Sequence, residues 1–244
     1  MTSVIRVEHL EVRYGREIAL TGVDLDIEAG TSLAVIGPNG SGKSTLLNAL
    51  AGVVPRDHGT IRIDGPVALV LQSTDVDRSL PITVRETVAL ARYPTLGLLR
   101  RFGAADRAAV AHALERVGMA DLAGRQFHDL SGGQRQRVLF AQGLAQEAEI
   151  LLLDEPVTGL DLVSRSIILD IIDEEVAAGH TVVMTTHDLE DARRCSEVLI
   201  LDTAPVVLAP PTEALTAPHL RKAFGGRTLQ IGDALFLDDP HHSH

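Results

Sequence analysis

The segment Gly37-Pro38-Asn39-Gly40-Ser41-Gly42-Lys43-Ser44 spaces its glycines ahead of a lysine and a hydroxyl, the G-x-x-x-x-G-K-[ST] arrangement that cradles phosphates. Glycines let successive backbone N–H groups turn inward around an anion. The helical stretch Thr45 to Leu50 that follows adds favourable partial charge at its start. In this arrangement Lys43 reaches the β and γ phosphates, and the Ser44 hydroxyl ligates Mg²⁺. Downstream, the apolar run Ile150 to Leu153 delivers Asp154 and Glu155 to a strand end, where open α/β sheets bind ligands. Alone, such a pair reads as solvated acids closing a strand. Behind a phosphate loop, Asp154 reads as a holder of Mg²⁺ through its water shell, and Glu155 as the group that orients and polarises an attacking water.

Three further segments point to the same chemistry. His187 follows the apolar run Val182 to Thr185, which places an imidazole at the same sheet edge to bond the γ-phosphate. Gln72 closes the run Val67 to Leu71 and could contact Mg²⁺ or the attacking water. In Leu130-Ser131-Gly132-Gly133-Gln134, Ser131 and Gln134 have capping-box spacing at a helix start. A helix needs no glycines there, and each costs about 1 kcal/mol against alanine, so the pair suggests close approach by an anionic ligand.

These residues need strands that end together and helices that begin beside them. Leu10, Val12 and Tyr14 alternate with Glu11 and Arg13, and Val23, Leu25 and Ile27 with Asp24, Asp26 and Glu28, which predicts half-buried antiparallel strands with turns at Gly15 and Gly30. Ser32 to Ile36 is continuously apolar beyond its serine, as a strand buried on both faces would be. From about 73 to 130 the pattern becomes helical, with Thr83 and Glu86 at capping-box spacing and Val110, Leu114 and Val117 on one helix face before Gly118. Strands at 150–153, 181–185 and 198–201 then alternate with helices at about 132–146 and 162–178. The expected fold is α/β: a mostly parallel sheet, an antiparallel β subdomain and an inserted helical subdomain.

Composition narrows the partners. The chain has 244 residues, with 33 acidic against 22 basic side chains and a net charge of −11, five Phe, two Tyr and no Trp. It therefore lacks the charge and stacking platforms of a nucleic-acid binder. Cys195 is the single cysteine, which excludes an internal disulfide or a cysteine-based zinc site and fits a reducing compartment. No apolar run approaches the roughly 18 residues of a spanning helix, and no secretory signal is visible near Met1. The end Pro240-His241-His242-Ser243-His244 is a His-containing tail, read as solvated rather than as a metal site.

Together the motifs resemble those of ABC-type ATP-binding subunits, in that family's order: the phosphate loop, Gln72 of the Q-loop, the LSGGQ signature at 130–134, the strand ending in Asp154 and Glu155, and His187 of the switch loop. Tyr14 matches the aromatic that stacks on adenine, and Gly159-Leu160-Asp161 most of the D-loop. The resemblance covers 3–225 as one ATP-binding domain with the helical insert, and leaves 226–244 as a C-terminal extension. It implies ATP and Mg²⁺ as cofactors. Gly37 to Thr45 and Ser131 to Gln134 would bind nucleotide, Ser44, Gln72 and Asp154 the metal, and Glu155, with His187 and Gln72, would carry catalysis. It further implies a homodimer closing head to tail over two ATP molecules, working against an integral membrane permease, peripheral on the inner face of the plasma membrane.

The stretch after Gln72, with Asp75, Asp77, Pro81 to Val84 and Arg92-Tyr93, is similar to the subunits of manganese and zinc importers, which implies an extracytoplasmic substrate-binding protein as an indirect partner. Gln142, Leu71 and Thr158 depart from common family residues without removing a reacting group. A soluble ATPase of cofactor or iron–sulfur assembly, or the ATPase of an exporter, would carry the same motifs.

Overall fold

The computed structural model describes residues 2–71, 81–96, 101–225, 228–231 and 234–237. The chain divides into two compact units, 1–65 with 181–244, and 66–180. Gln72, Asp75, Asp77 and the His-containing tail lie outside the described residues.

The first unit opens with β1 (Ser3–Tyr14) and β2 (Glu17–Glu28), an antiparallel pair as the alternation predicts. Ile5, Val7, Leu10 and Val12 are buried, as are Val23, Leu25 and Ile27 across from them. Alternation slips by one residue at His9, whose φ of 51° accompanies an irregular register that returns Leu10 to the buried face. Tyr14 leaves the pattern: it is 52 % exposed at the end of β1, not half-buried with Leu10 and Val12.

Next come β3 (Ser32–Ile36), buried at every residue, α1 (Lys43–Leu50), and β4 (His58–Ile63), which pairs antiparallel with β1.

The second unit begins with β5 (Val67–Val70) and carries α2 (Val84–Ala89), α3 (Tyr93–Leu96), α4 (Ala104–Arg116), α5 (Gly132–Leu144), β6 (Ile150–Leu153) and α6 (Leu162–Ala177). β5 and β6 run parallel. Thr83 and Glu86 form the expected capping box, and the bonds from the Thr83 hydroxyl and backbone hold the Glu86 carboxyl below its usual range. α4 buries Val110, Ala113 and Leu114 and stops before Gly118, whose φ is 64°.

A buried guanidinium ties these helices together. Arg92, 7 % exposed, donates to Asp106 at 3.2 Å, to the Ala145 carbonyl at 2.8 Å and to Glu147 at 2.7 Å. Ala145 is the C-cap of α5, so a cation sits where the helix dipole is negative.

The chain then returns to the first unit with β7 (Thr181–Thr185), α7 (Leu189–Arg193), β8 (Glu197–Asp202), β9 (Ala204–Ala209), α8 (Pro211–Ala214) and α9 (Ala217–Phe224), followed by the hairpin β10 (Thr228–Ile231) and β11 (Ala234–Leu237). β3 lies between β7 and β8, parallel to both, and β9 adds an antiparallel edge strand. β9 gives no alternation in sequence, and its Pro205, which has no N–H, suits an edge. Among the described residues no helix is long and apolar enough to cross a membrane.

Candidate functional site

In the first unit the phosphate loop leaves the buried end of β3 and enters α1, whose N-cap is Gly42 with φ 97° and ψ 8°. Close packing dictates two of its glycines. A Cβ on Gly37 would lie 2.0 Å from the Leu201 carbonyl oxygen of β8, and one on Gly42 would lie 2.5 Å from both the Ala19 carbonyl oxygen and Leu20 Cδ2 of β2. The loop is therefore wedged between β2 and β8. The Ser41 carbonyl accepts from the Thr203 N–H at 2.9 Å, and the Thr203 carbonyl from the Thr21 N–H at 2.9 Å. Thr203, with φ 59°, is a support that sequence reasoning missed, because an unusual backbone angle after a strand leaves no composition signal.

Inside the loop the Lys43 ammonium, 7 % exposed, donates to the carbonyls of Gly37 at 2.8 Å and Pro38 at 3.1 Å. The Ser41 hydroxyl oxygen is buried with no hydrogen-bond partner. A buried hydroxyl of this kind calls for an explanation. A phosphate oxygen is the acceptor it fits, and the backbone N–H groups opening α1 and the Lys43 charge suit the same anion. The loop residues thus fit a nucleotide phosphate chain, with Ser44 bringing a hydroxyl suited to a hard cation.

β7 puts His187 on the same edge. Val35 of β3 is paired with Thr185 at the end of parallel β7, so the segments that leave the two strands, with Gly37 and His187, emerge at the same sheet edge. Thr186 donates its N–H to the Val35 carbonyl at 3.1 Å, and its hydroxyl accepts from Asp188 N–H at 3.0 Å, which fixes the backbone on both sides of the imidazole. Asp188 then caps α7.

In the second unit, Asp154 follows β6, is 7 % exposed, and donates its N–H to the Val70 carbonyl at 2.8 Å. Glu155 has φ 47°, in the left-handed region, directly before Pro156. A non-glycine residue there costs roughly 1–3 kcal/mol, and the proline disfavours the compact regions further. The backbone at this carboxylate is held by its surroundings rather than by its own preference.

The signature segment forms the predicted capping box: Gln134 N–H donates to the Ser131 hydroxyl at 3.3 Å, and Ser131 N–H to the Gln134 side chain at 3.0 Å. Its two glycines have different surroundings. A Cβ on Gly132 would meet nothing within 4 Å, which leaves that backbone open to a ligand, whereas one on Gly133 would lie 2.8 Å from Asp161 Oδ2 and 3.0 Å from Ser164 Oγ. Helix propensity alone assigns both glycines to a ligand; Gly133 has an intramolecular reason as well.

Asp161 caps α6, accepting from the N–H of Val163 at 3.1 Å and of Ser164 at 2.9 Å and from the Ser164 hydroxyl at 2.8 Å. The Ser164 N–H and hydroxyl hold the Asp161 carboxyl below its usual range. Gln142, the departure on the signature helix, donates to the Thr87 carbonyl of α2 at 3.1 Å. Of the expected site residues, the structure brings the phosphate loop and His187 to one edge in the first unit. Asp154, Glu155 and Ser131 to Gln134 belong to the second unit, Tyr14 stands exposed on β1, and Gln72 is not described.

The ABC transporter family model matches residues 20–158. The manganese transport system ATP-binding protein MntB of Listeria innocua is 36% identical over 230 residues, covering 91% of this chain and 96% of that protein. The zinc transport system ATP-binding protein TroB of Treponema pallidum is 35% identical over 241 residues, covering 95% and 90%. An inward-facing transporter assigned to the metal-chelate ABC type matches with a TM-score of 0.84 and 28% identity over 97% of this chain and 96% of that one. With its phosphate loop and its matching length, the chain belongs to the ABC transporter family, as one of its ATPase subunits.

Proposed function

We propose that this ATPase energises a manganese or zinc importer through ATP-driven closure of a head-to-tail homodimer against a membrane permease. The observation that carries the metal is the similarity, over nine-tenths or more of both chains, to ATP-binding subunits named for manganese and zinc transport. The permease reading is supported by an open apolar groove of about 440 Å³ formed by Pro81, Ile82, Ala89, Leu90 and Tyr93 with Glu86, in which Leu90 and Tyr93 are 50 % and 57 % exposed. The second-copy reading is supported by Leu162 and Val163, apolar residues directly after Asp161 that are 86 % and 68 % exposed. The chain would then work on the cytoplasmic face of the plasma membrane, with an extracytoplasmic binding protein reached only through the permease.

At the site, Tyr14 stacks on the adenine, and the loop Gly37 to Thr45 holds the phosphates through the Lys43 ammonium and its backbone N–H groups, Pro38 having none. Ser131 to Gln134 of the partner subunit close over them. Ser44, Gln72 and Asp154 supply oxygen donors for Mg²⁺, which when bound neutralises phosphate charge. Glu155 takes a proton from water as the water oxygen bonds to the γ-phosphorus and the bond to the β-phosphate oxygen breaks, giving ADP and phosphate. His187 and Gln72 hold the γ-phosphate and the water in line.

Removing a positioned base costs about 10²- to 10⁴-fold in rate, so Glu155→Gln is expected to bind ATP, stay dimeric and lose turnover by that factor. The deciding experiment captures Glu155→Gln with ATP from detergent-solubilised membranes and identifies its companions by mass spectrometry. A multi-span permease, followed by ATPase stimulated by Mn²⁺ or Zn²⁺ with the binding protein, supports the reading. Soluble scaffold proteins without a permease would replace it with an assembly ATPase, and a permease with no binding protein would point to an exporter.

A further inference from the structure

We infer that Ser164 is a positioning residue for the signature segment: by holding Asp161 against Gly133, it makes the D-loop and the signature of one subunit a single rigid contact. The inference rests on the proposed dimer, in which the signature completes the partner subunit's ATP site. Three observations carry it. Ser164 is 2 % exposed, and its hydroxyl donates to Asp161 Oδ2 at 2.8 Å, while its own N–H donates to Asp161 Oδ1 at 2.9 Å. Both groups approach Gly133 so closely that even a methyl there would lie 2.8 Å from Oδ2 and 3.0 Å from Oγ. Gly132, one residue earlier, has no such neighbour and stays open.

The consequence is mechanical. Asp161 is exposed, and the hydroxyl of Ser164 is the side-chain donor that fixes its Oδ2 beside Gly133, while Oδ1 takes the N–H groups of Val163 and Ser164. With the tie, the start of α6 is seated on Gly133, the second residue of α5, and a displacement of Asp161 displaces the start of the signature helix with it. Without the tie, Oδ2 is held through Oδ1 of the same planar carboxylate, so the seat of the signature start loosens while the capping of α6 survives. Ser164 thus touches no nucleotide and acts on the partner's site through Asp161 and Gly133.

The test is a double-mutant cycle on ATP-dependent dimerisation, measured by sedimentation in the Glu155→Gln background with Mg-ATP. Ser164→Ala is expected to weaken dimerisation about tenfold while binding of a fluorescent ATP analogue to the single chain stays within twofold. Gly133→Ala is expected to weaken dimerisation tenfold or more. In the Ser164→Ala background, where Oγ is gone and Oδ2 has lost its hydroxyl donor, the same change is expected to cost less than threefold. A purely structural role would move neither the dimerisation constant selectively nor the coupling. Additive losses, or Ser164→Ala at the parent's affinity, overturn the inference while leaving the dimer intact. A parent that stays monomeric with ATP overturns the dimer and the inference with it. Should Gly133→Ala fail to fold, Ser164→Ala alone decides between a tenfold loss and none.

Discussion

Gly37→Ala tests whether the phosphate loop is positioned by its wedge against β8. The added Cβ would stand 2.0 Å from the Leu201 carbonyl oxygen and 2.6 Å from Ser41 Oγ. Carbon and carbonyl oxygen settle no closer than about 3.3 Å, so the loop must retreat from β8 by about 1.3 Å. Leu201 cannot yield instead at low cost, because β3 and β8 are hydrogen-bonded through Ile36 and Ile200, one residue before each contact atom. Overpacking of this kind costs about 1–3 kcal/mol, which in a chain of this length lowers Tm by roughly 2–12 °C. The effect on chemistry is larger. A misplacement of about 1 Å costs about a hundredfold in rate, since Lys43 and the α1 N–H groups move with the loop. The assay is steady-state ATPase beside binding of a fluorescent ATP analogue and thermal unfolding. Gly124→Ala serves as the control, because no atom lies within 4 Å of its Cβ. If Gly37→Ala keeps turnover and affinity within threefold of the parent and Tm within 2 °C, the wedge does not position the loop.

Other outcomes follow from the second unit. Arg92→Met takes the cation from the buried Asp106 carboxylate, which keeps the Gly103 N–H at 2.8 Å, and is expected to destabilise by about 3–5 kcal/mol, read as a Tm loss of roughly 6–20 °C, whereas Arg92→Met with Asp106→Asn, neutral and still able to accept that N–H, recovers most of it. Recovery absent from the double variant would mean that the pair's charges are not what holds α4 to α5. Asp161 gives a pH dependence with a definite sign. Its folded-state pKa is depressed by the Ser164 N–H and hydroxyl, so its contribution is present above the ordinary Asp value of about 3.9 and is lost as pH falls through the folded value below it. The stability gap between the parent and Asp161→Asn, followed by urea unfolding, is therefore expected to shrink between about pH 5 and pH 3. A gap constant over that range would show that the charge of the cap contributes nothing.

Much of this molecule is legible in its sequence because its signals are local. The buried strand before Gly37 and the apolar run before Asp154 are continuous hydrophobic stretches. Both capping boxes, at Thr83 and at Ser131, rest on a spacing of three residues. What was not legible depends on chain segments far apart. β9 escapes because an edge strand with a proline needs no alternation. Arg92 looks like a surface cation until Asp106 and the end of α5 are folded around it. Tyr14 fits the buried alternation of β1 yet stands in solvent, since it is the last residue of the strand.

The signature glycines show most clearly how sequence reasoning can find the right position for an incomplete reason. Two glycines in the first turn of a helix are costly, so something must approach them, and that step holds for both. The approaching group differs. At Gly132 the space is open and a ligand can take it, whereas at Gly133 the neighbour is the cap of α6, supplied by the same chain some 30 residues later. A glycine required by a ligand tolerates alanine until the ligand arrives, but one required by packing is disturbed in the unliganded chain. Gly132→Ala should therefore leave Tm within about 2 °C and lower only ATP-dependent dimerisation, while Gly133→Ala lowers both. Equal effects of the two substitutions on Tm would mean that Asp161 and Ser164 yield freely, and that the signature is set by the ligand alone.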